Sequence, residues 1–347
     1  DEAPAHGGGA AEWLLRAAVG AAATAPPEQR ILADPEGRPF IALPVISGDP
    51  DWLLTRAAVS VFDDSGAVAG ELEGFGALYR AWLDRIADES ERPVVVICES
   101  RQLGELLAGW SHPRVRIVHM IHTMHLEPPY SADAQVNALW SRWFALSDRF
   151  DAVVWPTQAQ RDAVSERFGD QARNLVAPNG VEMSALDRAA FSPSHERESE
   201  RTESERTERD TERQAELHEP GLREPGLLVS LSRLAAGKRI DHAIRAFAAA
   251  DVAGARFEIW GDGPEADHLA ALIAELGVGD RVVLRGSTTS PAEVLARASL
   301  FVTATAFEGQ GLSIIEALAS GVPAVSYDVR FGPGDILAGG GGVLVAD

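Results

Sequence analysis

The chain has 347 residues, 46% of them hydrophobic, enough for two packed domains rather than one. Lys plus Arg number 31 against 52 Asp plus Glu, a formal charge of −21, which argues against a general nucleic-acid binder and sits badly with a polyanionic partner unless a local basic patch exists. No apolar run is long enough to span a membrane and no secretory leader opens the chain; the single cysteine, Cys98, cannot close an internal disulfide and reads as a small buried hydrophobe, which fits a reducing cytoplasm.

In chain order, Gly7-Gly8-Gly9 precedes an expected helix over Ala11–Ala22. Asp34-Pro35-Glu36-Gly37 and Asp63-Asp64-Ser65-Gly66 are turn tetrapeptides between β-compatible runs. Residues 30–70 therefore read as antiparallel hairpins, an inserted β-meander, followed by a helix over Phe75–Ala87. Strands are expected at Val94–Cys98, Val115–Ile121, Ala152–Trp155 and Asn174–Ala177, with helices around Leu103–Gly109, Ala134–Ser147 and Ala159–Phe168. This alternation predicts a first α/β domain over residues 1–191. Residues 192–226, dominated by Glu, Arg, Ser and Thr, are too polar to offset their ordering entropy and read as a disordered linker.

A second alternating series fills residues 227–347. Strands are expected at Leu227–Leu234, Arg256–Trp260, Val282–Arg285, Leu300–Thr305 and Val322–Tyr327, and helices at Ile240–Ala250, Glu265–Leu276, Pro291–Ala298 and Leu312–Ala319. Short apolar strands alternating with helices of about three turns imply a doubly wound parallel sheet. Ligands bind such sheets at the carboxyl ends of the strands.

Two constellations fall on that edge. The loop Phe307-Glu308-Gly309-Gln310-Gly311-Leu312 leads from a strand into a helix, and its glycines let backbone amides approach an anion, a phosphate cradle. Glu316 lies eight positions after Glu308, inside the otherwise apolar Leu312–Leu318 run, where an acid suggests a ligand contact. A carboxylate beside a diphosphate needs another partner, and sugar hydroxyls are natural donors to it. The second constellation is Arg233 and Lys238, at the end of one strand and before the next helix, where two cations can offset a diphosphate leaving group.

Glu308 and Glu316 with Gly309 and Gly311, together with Arg233, Lys238, Pro178-Asn179-Gly180-Val181, Gly261-Asp262-Gly263-Pro264 and Ala319-Ser320-Gly321-Val322-Pro323, resemble family 4 of the GT-B glycosyltransferases. Glu308-Gly309-Gln310-Gly311, Ser326-Tyr327-Asp328-Val329-Arg330-Phe331-Gly332-Pro333 and His119-Met120-Ile121-His122-Thr123-Met124-His125 narrow the resemblance to the poly(glycerol-phosphate) α-glucosyltransferase and wall teichoic acid α-glycosyltransferase group, which includes glycosyltransferases of serine-rich adhesins. The resemblance implies a GT-B fold of two Rossmann-like domains with a β-meander in the first, an element that in relatives mediates oligomerisation or partner binding. It implies a retaining, metal-independent transfer of a hexose, glucose or N-acetylglucosamine, from a UDP-sugar to a hydroxyl of a cell-envelope polymer or protein, in the cytoplasm or at the inner face of the membrane. No cofactor is implied beyond the donor itself.

Carried over by position, Arg233 and Lys238 are expected to hold the donor diphosphate and Glu316 the ribose. Glu308 is expected to contact the sugar, with the amides from Gly309 through Gln310, Gly311 and Leu312 completing the cradle. His122 is expected to contact the transferred sugar, with His125 its rival and His119 structural. Three histidines at i, i+3 and i+6 cannot all point one way, so a zinc site is not expected; Asp63-Asp64 resembles the acidic pair of metal-dependent transferases but sits in a turn. Two features depart from the family: no strand precedes the glycine-rich opening, and the chain stops at Asp347, so the sequence reads as a fragment. The alternatives are a non-catalytic glycosyltransferase-like subunit and a GT-B sugar-nucleotide epimerase.

Overall fold

The computed structural model describes residues 12–18, 28–169, 173–181 and 223–346. The Gly7-Gly8-Gly9 opening, the expected first helix outside residues 12–18, and the charged segment as far as residue 222 lie outside the described residues. The chain divides into two compact units. One comprises Asp1–Glu127, Gln135–Trp155 and Val164–Leu175; the other comprises Pro128–Ala134, Pro156–Ala163 and Val176–Asp347.

The first unit opens with α1 (Glu12–Ala17) and a four-stranded antiparallel meander, β1 (Gln29–Ala33), β2 (Pro39–Pro44), β3 (Ala58–Phe62) and β4 (Val68–Glu73), paired in that order. Its two hairpins are made by the turn tetrapeptides. The Asp34 carboxylate accepts the amides of Glu36 and Arg38, and that of Asp63 accepts the amides of Ser65 and Ala67. Both turns place a glycine in the left-handed region, Gly37 at φ 82° and Gly66 at φ 79°. Asp63 is thereby absorbed by its own turn; hydrogen bonds from Ser65, first its hydroxyl, hold its carboxyl below the ordinary range. Ile41, Val59, Val61 and Leu72 form one apolar face, which Leu14 of α1 covers.

After α2 (Gly74–Glu89) comes a second sheet ordered β5 (Val94–Cys98), β6 (Val115–Met120), β7 (Ala152–Trp155) and β8 (Asn174–Val176), with β5, β6 and β7 pairing in parallel. The accompanying helices are α3 (Arg101–Leu107), α4 (Ala138–Phe144) and α5 (Gln158–Phe168). The expected helix Ala134–Ser147 starts later because Asn137 caps it, its side-chain oxygen accepting the Leu139 amide at 2.9 Å. Charge fastens the meander to these helices: Asp51, between β2 and β3, accepts from Arg101 and Arg142, each at 2.5 Å, and Glu105 takes the other side of both guanidiniums. Burial alone would raise the Asp51 carboxyl, but the two arginines outweigh it and hold it low.

The second unit carries six parallel strands in the order β11-β10-β9-β12-β13-β14: β9 (Leu227–Leu231), β10 (Arg256–Trp260), β11 (Val282–Gly286), β12 (Leu300–Thr303), β13 (Ala324–Tyr327) and β14 (Gly342–Val345). Helices α6 (Ile240–Ala250) and α7 (Ala266–Glu275) cover one face through Ile244, Phe247 and Leu269; α8 (Pro291–Arg297), α9 (Leu312–Ala319) and α10 (Pro333–Leu337) cover the other through Leu295, Ile314 and Leu337. The chain adds β10 and β11 on one side of β9 and then returns to add β12, β13 and β14 on the other. The topological switch point therefore lies between β9 and β12, where open α/β sheets bind their ligands. No helix among the described residues is long and apolar enough to cross a membrane.

His119 sits deep in the first unit, 1% exposed, its ring against Trp143 and Phe150 and its Nε2 3.3 Å from the Ser100 carbonyl oxygen. Desolvation pushes its pKa down to about 4 from an ordinary 6.5. The unfolded chain thus binds this proton more readily than the folded one, so the stability contributed by neutral His119 is lost as pH falls from about 6.5 to about 4. A proton-NMR titration is expected to show the His119 imidazole neutral until near pH 4; a midpoint near 6.5 would contradict the burial argument.

Candidate donor site at the switch point

The loop leaving β9 carries Arg233, and a 3₁₀ turn over Ala236–Lys238 carries Lys238 immediately before α6. This loop is shorter in strand than expected, since β9 ends at Leu231, but Leu234 stays buried and anchors it. The Gly261-Asp262-Gly263-Pro264 turn braces it. Ser232 donates its amide to the Trp260 carbonyl, Leu234 donates to the Asp262 carbonyl, and Glu265 donates back to Leu234. At Gly261, φ 142°, a Cβ would lie 1.8 Å from the Ser232 carbonyl oxygen, so only glycine allows the two loops to touch.

The loop leaving β12 is zipped to the same turn. Ala306 donates its amide to the Gly237 carbonyl at 2.8 Å, and the fully buried Thr305 hydroxyl donates to the Phe307 carbonyl at 2.7 Å. Next to these contacts, Lys238 Nζ lies 2.6 Å from Glu308 Oε1, with the lysine side chain 31% and the glutamate 16% exposed. Gly311, φ 100°, then starts α9. The amides of Gly311, Leu312 and Ser313 make no hydrogen bond among the described residues, as the first amides of a helix do not within the helix itself.

Glu316 is one turn into α9 and half-buried, and its carboxylate has no hydrogen-bond or ion-pair partner among the described residues. Burial raises its pKa above the ordinary value. Arg233 is exposed and its guanidinium is likewise unpaired among the described residues. The two loops and the start of α9 at this edge thus carry the Lys238–Glu308 pair, Arg233, Glu316 and three amides, the last five groups without a partner among the described residues.

Gln310, whose backbone amide is expected in the cradle, turns its side chain into the protein. It is 6% exposed, and its Oε1 accepts both the backbone amide of Asn179 at 2.8 Å and its side-chain amide at 2.7 Å, while Nε2 donates to the Asn179 carbonyl at 3.3 Å. The Pro178-Asn179-Gly180-Val181 segment is thereby clamped to the cradle loop across 131 residues of sequence. Gly332, φ 93°, lies against the same loop: a Cβ there would come within 2.1 Å of the Gln310 carbonyl oxygen. Residues Asn179, Thr305, Phe307 and Gly332 are thus parts of the site that side-chain chemistry in the sequence did not single out individually.

His122 belongs to the first unit, exposed two residues beyond β6, its Nε2 3.7 Å from Glu99 Oε1. His125 is not its rival. It is 2% exposed and packs edge-on against Phe144, Trp155 and Phe168. Cys98 is also buried, its Sγ 3.3 Å from the Ser100 carbonyl oxygen and its thiol pushed up to about 11 by desolvation.

Two family models match the chain, Glycosyltransferase Family 4 over residues 49–185 and Glycosyl transferases group 1 over residues 212–347. The chain thus carries one domain of each of these two glycosyltransferase groups, and the six-stranded switch-point sheet lies within the second. It is similar to the poly(glycerol-phosphate) alpha-glucosyltransferase of Bacillus subtilis, 23% identical over 292 residues, 83% of this chain and 37% of that protein. It is also 44% identical over 123 residues to an exopolysaccharide phosphotransferase of Streptomyces coelicolor, covering 34% of this chain and 13% of that protein. A variant of Staphylococcus aureus TarM, solved in complex with UDP among other ligands, shares the fold with a TM-score of 0.67 and 22% identity, covering 88% of this chain and 54% of that one. The chain spans less than half the length of the curated relatives it matches.

An unpaired, half-buried carboxylate disfavours its own fold when charged. Because the folded pKa of Glu316 lies above its unfolded value, the chain gains stability as pH falls through that folded pKa. Glu316→Gln is expected to raise the melting temperature at pH 7, with the advantage shrinking as pH drops toward 4.5. An unchanged or lowered melting temperature would show that Glu316 has a stabilising partner.

Proposed function

We propose that the chain binds a UDP-sugar at the β9/β12 switch point and belongs to a retaining hexosyltransferase that glycosylates a hydroxyl of a cell-envelope polymer or protein. The observation that carries this reading is the pairing of Lys238 with Glu308, with Glu316 and Arg233 on the adjoining elements unpaired among the described residues. Two cations and a helix amino end at one edge suit a diphosphate, whose charge grows as it leaves the sugar. Arg233 takes the phosphates as a planar fork, and Lys238 takes them as a point charge.

The two carboxylates divide the remaining work. Glu308 keeps Lys238 as counter-ion, so it can stand near a diphosphate without a net repulsion and accept a hydroxyl of the donor sugar. Glu316 has no counter-ion among the described residues and is matched to neutral donors, the ribose hydroxyls. Gln310 and Asn179 hold the loop that bears Glu308, and Gly311 permits the close approach of backbone to phosphate.

In this reading the acceptor hydroxyl attacks from the face that the diphosphate leaves, retaining the anomeric configuration. Glucose and N-acetylglucosamine are the donor sugars proposed. Support comes from the glucosyltransferase name of the Bacillus subtilis relative and the UDP in the TarM complex. The transfer needs no metal, because Arg233, Lys238 and the amides supply the positive potential that the leaving group requires.

Calorimetric titration of UDP into the full chain tests the donor site. UDP is expected to bind, and Glu316→Ala and Lys238→Ala are each expected to weaken it by about tenfold, the scale of a charge-assisted hydrogen bond. A well-folded chain that binds no UDP, or binds it equally in both variants, would contradict the assignment.

A further inference from the structure

Tyr130 stands in the segment Pro128–Ala134, which clusters with the second unit. Its backbone is held at φ 64°, the left-handed region that a bulky side chain enters only when its surroundings demand it. Its ring meets that of Phe307, centroids 4.6 Å apart and planes tilted by 45°. Phe307 in turn presses on Gly237: a Cβ at that glycine would lie 2.9 Å from Phe307 Cε1.

The residues at the two ends of this contact matter. Gly237 is followed by Lys238, and Phe307 by Glu308, and these next neighbours form the 2.6 Å ion pair. The Phe307 ring is therefore a spacer between the two turns that carry the charges. The Gly237 carbonyl also receives the Ala306 amide, so the turn bearing Lys238 is joined to the Phe307 loop on both sides of the ring contact.

We infer that Tyr130 is a positioning residue for the donor site: it caps Phe307, and through Phe307 and Gly237 it sets where Lys238 and Glu308 stand. The contact to Phe307 is made by the aromatic ring. Tyr130 touches no ligand in this role. The inference rests on the UDP-site reading of Lys238, and the experiment separates the two.

UDP is titrated calorimetrically into the full chain and into Tyr130→Ala, Tyr130→Phe, Lys238→Ala and the Tyr130→Ala/Lys238→Ala double variant, with melting temperatures measured alongside. Tyr130→Ala is expected to weaken UDP binding by about fivefold, the scale of one aromatic pair, with little change in melting temperature. Tyr130→Phe is expected to restore parental affinity. In the Lys238→Ala background the Tyr130→Ala effect is expected to vanish, since the residue it positions is gone. Parental affinity in Tyr130→Ala, alongside weakened binding in Lys238→Ala, would overturn the positioning role and leave the UDP site standing. An equal fivefold loss in both backgrounds would also overturn it, because Tyr130 would then act independently of Lys238. A folded parent chain that binds no UDP would overturn both readings together.

Discussion

β9 pairs in parallel with β10 on one side and with β12 on the other, and the rest of the second unit follows from that placement. The helices after β9 and β12 must go to opposite faces of the sheet, so the loops leaving these strands part at its carboxyl edge. Hydrogen bonds then draw the two loops together again through one residue, Gly237, whose carbonyl receives the Ala306 amide. Lys238 directly follows Gly237 and Glu308 lies two residues beyond Ala306, and their ion pair is the chemical outcome of the topology. A chain with a net charge of −21 has little general attraction for a phosphate, so its affinity for one must be built locally. In the proposed donor site, Arg233, Lys238 and the first amides of α9 make that local provision.

The carboxylates differ in a way that separates structural from functional tasks. Asp51 and Glu258 are drawn out of water among arginines, and their carboxyls are held low despite the opposing effect of burial. Glu258, 3% exposed within β10, has Arg285 at 2.6 Å and Trp260 Nε1 at 3.1 Å. Glu316 has burial without such partners among the described residues, and its carboxyl is raised instead. Fold stability alone gives no reason for an unneutralised acid in the apolar run Leu312–Leu318. Under the proposed function, ligand hydroxyls give one, at a cost in stability that binding sites often carry.

Much of the architecture was legible because parallel strands are short apolar runs and their helices have strong periodicity. The strands Val94–Cys98, Ala152–Trp155 and Arg256–Trp260 and the helices Ile240–Ala250 and Leu312–Ala319 stand where the residue pattern put them. Strand ends were less legible, since apolar residues also anchor loops: Leu234 and Val322 are buried but lie outside β9 and β13. The glycine-rich β14 and the short α10 carried too little periodic signal to be seen at all. Arg233, Lys238, Glu308 and Glu316 could be assembled at one edge from spacing and strand order. The Gln310–Asn179 clamp and the Tyr130–Phe307 contact could not, because nothing local marks partners 131 or 177 positions apart. Nor could spacing alone separate His122 from His125; the aromatic cage of Phe144, Trp155 and Phe168 does so by burying the second.

The most direct measurement is amide hydrogen–deuterium exchange of the full chain with and without UDP, read peptide by peptide. Slowed exchange confined mainly to the loop after β9, around residues 232–239, and to the loop and first turn of α9, around residues 306–316, is the expected result. UDP-dependent protection elsewhere with none in these two segments would place the nucleotide away from the switch point and contradict the donor-site assignment.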